Sequence, residues 1–431
     1  MRLRLIAGFL CAVLICAGGW GADSSVLSQT LGSLPDGLGV NIHFTDPRTG
    51  EMKMIADAGF KWVRMDFVWS GIERQRDKYV FSAYDRLMAV LDEHHIRPIF
   101  ILDYSNRMYD QDLSPHTDEG RKGFARWAAA SALHFKGRGV VWEMYNEPDI
   151  QFWRPRPNAD DYAKLALAVG KAIHEAAPTE IYIGPACSTM DFRFLEVCFK
   201  AGCLEYWAAV SVHPYRQKAP ETVAADYRKL REMIDRYAPA GKQIPIVAGE
   251  WGYSSAWRNF DPDRQGKFLP RELLANVASG IPISIWYDWH DDGTNPRESE
   301  HHFGAVLFPY RKGDDDVYQP KPAYTAMKTL SAQLRDTRFV GRLNTSNDED
   351  WVLLFRGADG VRLAAWTMGQ PHEATIPASP GKFGATDHVG RSLPPVAADS
   401  AGLRLALSDA PQYLIPQSRN EQLENAARDA K

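Results

Sequence analysis

Two segments of this chain each close an apolar, β-like run with a glutamate beside an aromatic residue: Trp142-Glu143-Met144-Tyr145-Asn146-Glu147-Pro148 and Ile246-Val247-Ala248-Gly249-Glu250-Trp251. Paired carboxylates are what cleavage of a sugar acetal requires. One donates a proton to the departing oxygen and the other meets the positive charge that builds on the anomeric carbon, so both must be held on rigid strand ends. A lone glutamate at a strand end is more often a surface or ion-pair residue. Two of them inside a regular alternation of strands and helices point to paired acid chemistry.

That alternation positions them. Apolar or β-branched runs at Leu38–Phe44, Trp62–Val68, Arg97–Asp103, Val140–Asn146, Ile181–Ala186, Ala209–Pro214, Ile244–Glu250 and Ile283–Trp289 predict strands. Amphipathic stretches such as Met52–Ala58, Tyr84–His95, Gly123–Phe135, Tyr162–Ala176, Thr222–Tyr237 and Phe268–Ser279 lie between them, with a last helix expected over Ala323–Leu334. Eight such units predict an α/β fold, a (β/α)8 TIM barrel over residues 34–336. An open doubly wound sheet would carry a Gly-rich phosphate turn after its first strand, and Thr45-Asp46-Pro47-Arg48-Thr49-Gly50 is not one. From residue 337 to 416 short alternating runs (Trp351–Arg356, Val361–Trp366, His372–Ile376, Leu403–Leu407, Gln412–Ile415) separated by turn signals predict a small antiparallel β-sandwich. No chemistry is assigned to it. Residues 417–431 read as a loose polar tail.

A chain of 431 residues with 45% hydrophobic content can bury one large core and a smaller one. Its net charge of -4 leaves no basic footprint for a phosphate backbone, which sets nucleic-acid binding aside. Arg2 and Arg4, an apolar run from Leu5 to Ala17 and the small residues Gly18, Gly19, Gly21 and Ala22 read as a signal peptide over residues 1–22, or as an uncleaved anchor. Export to the periplasm or beyond is therefore expected, with release or tethering to the inner membrane both open. Of the cysteines past that segment, Cys187, Cys198 and Cys203, only the last two are close enough in sequence to pair, and buried free thiols are the expected state.

Barrels of this kind work at the C-terminal ends of their strands. There the sequence places Arg64, Asn146-Glu147, His213-Pro214-Tyr215, Glu250-Trp251, Trp286, Trp289 and His290. His213 and Glu250 alone do not make a metal set, so neither a metal nor another cofactor is expected. His290-Asp291-Asp292 reads as a polar loop, and Asp314-Asp315-Asp316 as a solvated one rather than a calcium site. Glu143, two residues below Glu147, is expected to be an ion-pair partner. His43, Asp66 and Asp103 either bind sugar hydroxyls or hydrogen-bond the catalytic groups. Asn146 can share a side with its neighbour Glu147 only where the strand ends and the chain turns. Trp153 and Trp257, in loops on the same side, are expected to stack on sugar rings.

Asn146-Glu147-Pro148 after the fourth strand and Glu250 after the seventh resemble the clan A retaining glycoside hydrolases. With Phe152-Trp153-Arg154-Pro155, Val212-His213-Pro214-Tyr215 and Gly249-Glu250-Trp251-Gly252-Tyr253-Ser254, the chain from Leu38 to Leu334 is similar to family 39 of that clan, in particular to its bacterial exopolysaccharide endoglycosidases. The resemblance implies Glu147 as general acid/base and Glu250 as nucleophile. It implies Asn146 on the sugar hydroxyl beside the reacting carbon, Arg64 and Tyr215 around the nucleophile, His213 near the acid/base, and Trp286 as the floor under the reacting sugar. The implied activity is retaining, endo-acting hydrolysis of a bacterial exopolysaccharide or other envelope glycan. An exo-acting, xylosidase-like enzyme and a catalytically idle polysaccharide-binding or assembly protein are the alternatives. The expected partners are a polysaccharide or oligosaccharide and the envelope polysaccharide-synthesis machinery, with the chain itself a monomer.

Overall fold

The computed structural model describes Leu27 and residues 33–429. The segment read as a signal peptide or anchor, residues 1–22, lies outside them. Eight strands close a parallel barrel in sequence order: β1 (Leu38–Asn41), β2 (Trp62–Val68), β3 (Arg97–Asp103), β4 (Val141–Met144), β5 (Ile181–Cys187), β6 (Val210–Val212), β7 (Ile246–Trp251) and β8 (Ser284–Trp286). The helices that return the chain are α1 (Glu51–Asp57), α2 (Ser82–Glu93), α3 (Asp118–His134), α4 (Ala159–Ala176), α5 (Phe192–Lys200), α6 (Val223–Tyr237), α7 (Pro262–Ala278) and α8 (Pro322–Gln333). Polar residues start several of them. Thr117, Asn158, Asp191 and Asp261 each accept a backbone N–H of the first turn that follows, which satisfies donors a helix cannot satisfy itself.

Alternation along the strands separates two apolar layers. Val63, Met65, Phe100, Leu102, Trp142, Met144, Val210 and Val212 pack outward on the helices. Trp62, Ile99, Val141, Ile183, Val247 and Ile285 fill the lower lumen together with Leu27. Above that plug the lumen turns polar. Arg64, Glu143 and Ser211 are each wholly buried there, directly below the mouth.

The C-terminal part is one eight-stranded antiparallel sheet that folds over its own core. Its strands are β9 (Arg338–Arg342), β10 (Asp350–Gly357), β11 (Gly360–Thr367), β12 (His372–Ile376), β13 (Gly381–Asp387), β14 (Ser392–Asp399), β15 (Gly402–Leu407) and β16 (Gln412–Pro416), in the order β9-β10-β11-β16-β13-β14-β15-β12. The sheet is buried on both faces where it meets the barrel. Trp351, Leu353, Phe355, Ala364 and Trp366 join the barrel's helix-side core, while Val352, Leu354, Leu363 and Ala365 on the other face build the domain's own core. The expectation of a loose tail is corrected: Glu421–Asp429 forms a helix, α9. Leu423 and Ala427, four residues apart and so on one side of that helix, are buried in the sheet's core. Cys187, Cys198 and Cys203 are free and buried. Among the described residues no helix is long and apolar enough to cross a membrane.

Candidate active site

β4 stops at Met144, and the chain then turns sharply, with Tyr145 and Glu147 in left-handed conformations at φ 64° and 45°. The turn breaks the alternation of sides. Asn146 and Glu147 therefore both reach the mouth of the barrel, where Asn146 accepts from Arg64 at 2.8 Å and Glu147 meets His213 at 3.0 Å. Glu250 arrives by a different device. Ser284 pairs with Ala248 but Trp286 pairs with Trp251, so β7 carries one residue more than β8 between these points. Such a bulge re-aims a side chain, and it brings Glu250 beside Arg64 although neighbouring Gly249 already faces the lumen.

Arg64 organises the site. Its Nε donates to Glu143 Oε2 at 2.6 Å, Nη1 to Glu250 Oε2 at 2.6 Å, and Nη2 to Asn146 Oδ1 at 2.8 Å. Glu143, which also accepts from Ser211, is thus an ion-pair partner set in the wall. Tyr215 donates to the other oxygen of Glu250, Oε1, at 2.8 Å. Nη2 of Arg64 also lies 3.1 Å from His213 Nε2. Because a guanidinium only donates, that ring nitrogen accepts, the ring proton sits on Nδ1, and Nδ1–H donates to Glu147 Oε1. Burial, opposed by Glu250 and reinforced by Arg64, lowers His213 to about 4, so the ring is neutral. Burial and the nearby Asp149 push Glu147 up to about 7 against the pull of Arg64. Glu147, His213 and Glu250 each present an atom within 4.8 Å of the others. With their nearest atoms that close, the two carboxyl groups are on the scale of a retaining pair, whose groups stand roughly 5–5.5 Å apart.

Residues 38–292 match the family described as cellulase, glycosyl hydrolase family 5. The chain belongs to that family. It is an O-glycosyl hydrolase of the retaining clan A, and its substrate is a carbohydrate. The barrel of this cellulase-family chain is also similar to solved structures. One is a family 39 glycoside hydrolase from the gut symbiont Bacteroides cellulosilyticus WH2, with 23% identity, TM-score 0.76, and 90% of this chain and 82% of that one covered. A GH39 β-xylosidase from Caulobacter crescentus gives 18% identity, TM-score 0.63, and 88% and 95% coverage. The catalytic domain of a GH30 xylanase C from Talaromyces cellulolyticus gives 13%, 0.61, and 89% and 96%. No curated protein sequence matches the chain.

Two of the expected sugar-stacking residues are corrected. Trp286 is fully buried and packs in the helix-side core with Tyr253. Ile283, just before β8, and Ile285 within it face the lumen, so the next inward position is Tyr287. That ring is half-buried and lies near Tyr215 and His43, which makes it the aromatic wall of the site. Trp153, 2% exposed, packs on Tyr145 and Tyr162 and offers no face to a sugar. Trp257 stays half-exposed on the rim against Phe303, which touches Tyr287.

The remaining strand-end groups divide. Asp103 is wholly buried; burial and the neighbouring Asp66 hold its carboxyl well above the usual range. His43, Asp288 and Asp292 present atoms within 4.8 Å of one another along the cleft wall. Burial works against the His43 imidazolium, but the hydrogen bond and charge of Asp288 outweigh it and raise the ring to about 9. Asp291 instead forms a buried pair with Lys321 at 2.8 Å, Trp289 donates to Glu51 at 3.0 Å, and Asp314-Asp315-Asp316 is an exposed turn.

Proposed function

We propose that this chain is an exported, endo-acting retaining hydrolase of a bacterial exopolysaccharide or other envelope glycan, close to family 39, with Glu147 as acid/base and Glu250 as nucleophile. One observation carries the reading: of two adjacent buried carboxylates, one is held by an arginine and a tyrosine while the other is raised to about 7. Glu147 protonates the glycosidic oxygen as that bond breaks, and Glu250 forms the new bond to the anomeric carbon. Glu147, now deprotonated, takes a proton from water, whose oxygen displaces Glu250 and restores the original anomeric configuration. His213 Nδ1–H occupies Oε1 of Glu147, leaving Oε2 to carry the proton toward the leaving group. Asn146, held by Arg64, is assigned the hydroxyl beside the reacting carbon.

The reading extends to an exported protein, released or membrane-tethered, that works beside the envelope polysaccharide-synthesis machinery as a monomer. The intact mass of the exported form distinguishes release from tethering. Activity is tested on a polysaccharide panel with wild type, Glu147→Gln and Glu250→Gln. The reading expects product from wild type alone, as internal fragments of mixed length; equal release from all three proteins removes it, and release of single sugars only replaces endo by exo action.

A further inference from the structure

Among the described residues, the two exposed phenylalanines are Phe152 at 38%, in the loop that follows β4, and Phe308 at 46%, in the hairpin that follows β8, so they stand at the C-terminal ends of opposite strands of the barrel. On one side Tyr104 follows β3 and lies near Asn146, and Phe152 stacks on it with ring centroids 5.7 Å apart and planes 21° from parallel. On the other, the wall runs from Glu250 through Tyr215 and Tyr287 to His43, then through Asp288 and Asp292 to His290. His290 lies edge-on to Phe308 at 6.4 Å. It opens a cavity of about 870 Å³ lined by Phe44, Arg48, Phe308 and Tyr310, a volume typical of ligand pockets. This arm is built rather than loose. The hairpin that carries Phe308, Val306–Tyr310 paired with Tyr318–Pro320, is bonded to the chain leaving β8 through Asp291 N to Val306 O and Val306 N to Trp289 O. Tyr310 in turn donates to the carbonyl of Thr49 and lies under the guanidinium of Arg48.

We propose that the Tyr104–Phe152 pair and the Phe44–Phe308–Tyr310 pocket are two distal sugar-binding sites, one on each side of the scission point, joined by a polar stretch. A glycan has flat C–H faces that suit aromatic rings and hydroxyls that suit the carboxylates and histidine between them. The phenylalanine at each end leaves part of its apolar ring open to water. The occupant is therefore a single glycan strand several residues long that passes over Glu147 and Glu250. This rests on the glycosidase reading of the site.

The test is calorimetric binding, in the Glu147→Gln background, of β-1,4-linked xylose, mannose and glucose oligomers, comparing each hexaose with its disaccharide. In at least one series the hexaose binds more than tenfold tighter, and Phe152→Ala or Phe308→Ala each lowers the hexaose-to-disaccharide ratio about three- to tenfold. A ratio near one in all three series, or a ratio that neither substitution changes, overturns the proposal. The catalytic reading is judged separately, by hydrolysis with the two glutamine variants, so either can fail without the other.

Discussion

Glu147 and Glu250 occupy one pocket in unlike surroundings. Glu250 receives the guanidinium of Arg64 and the phenol of Tyr215, whereas Glu147 receives only a neutral imidazole. With Glu147 at about 7, kcat/KM is expected to fall as pH rises through that value and the proton donor is lost. Glu147→Gln removes this limb of the profile and slows turnover by about 10²–10⁴-fold. The same shift has a signature in stability. Between 4.5, the ordinary value, and about 7 the folded chain keeps a proton that the unfolded chain releases, so stability drops as pH rises across that window. Glu147→Gln should escape this loss and be more stable than wild type above it by about 3 kcal/mol. Denaturant titrations below and above the window measure the difference, and an equal offset at both would refute the assignment. These two glutamates were legible because each ends an apolar run. Tyr287 was legible in principle from the inward spacing of Ile283 and Ile285, but the bulkier Trp286 beside it drew the stacking role that strand geometry denies it.

At the scale of elements, the site depends on two irregular strand ends, and both are hard to read in a sequence. The turn after β4 was anticipated as a condition on Asn146, but nothing in Met144-Tyr145-Asn146 announces left-handed backbone at a tyrosine. The bulge in β7 has one trace, Gly249. A Cβ there would come 2.8 Å from Glu143 Oε1 and press on Ser211, so the backbone is close to the buried layer that holds Arg64. Gly249→Ala is expected to cost about 1–3 kcal/mol and to lower kcat more than it raises KM, because it displaces Glu250 rather than the distal cleft. Thermal melts with steady-state kinetics check both, and unchanged kcat would mean the bulge does not set the nucleophile. Other elements escaped notice for simpler reasons. β14 is exposed along nearly all its length and contains Pro394-Pro395, and β13 opens with Gly381 and holds Gly384, so neither shows the apolar alternation that marked its neighbours.

Over the whole molecule, the barrel and the terminal sheet share a core rather than a hinge. Arg271 of α7 forms a two-pronged pair with Glu221 at 2.6 and 2.8 Å, and Glu221 also accepts Trp366 Nε1 of β11. All three residues are buried. Glu221→Ala leaves the arginine buried and unpaired, which costs about 3–5 kcal/mol. Calorimetry should show barrel and sheet unfolding in one transition, at a lower midpoint in the variant; two separate transitions in wild type would contradict a shared core. Barrel topology was readable because period-2 and period-3.6 patterns alternate so regularly from Leu38 to Leu334. The two-faced burial of β10 and β11 was not, since Trp351 to Phe355 is apolar throughout and gives no sign of which face meets which partner. The helix Glu421–Asp429 was missed because only Leu423 and Ala427 mark its buried side.

The central claim is a covalent bond between the sugar and Glu250, and trapping it is the most direct test. The protein is incubated with 2-deoxy-2-fluoro xylosyl, glucosyl and mannosyl donors carrying good leaving groups, then digested and analysed by mass spectrometry. The account predicts that one donor adds a single glycosyl mass to the peptide containing Glu250 in wild type and none in Glu250→Gln. Attachment at any other residue, or the same labelling in both proteins, would contradict it.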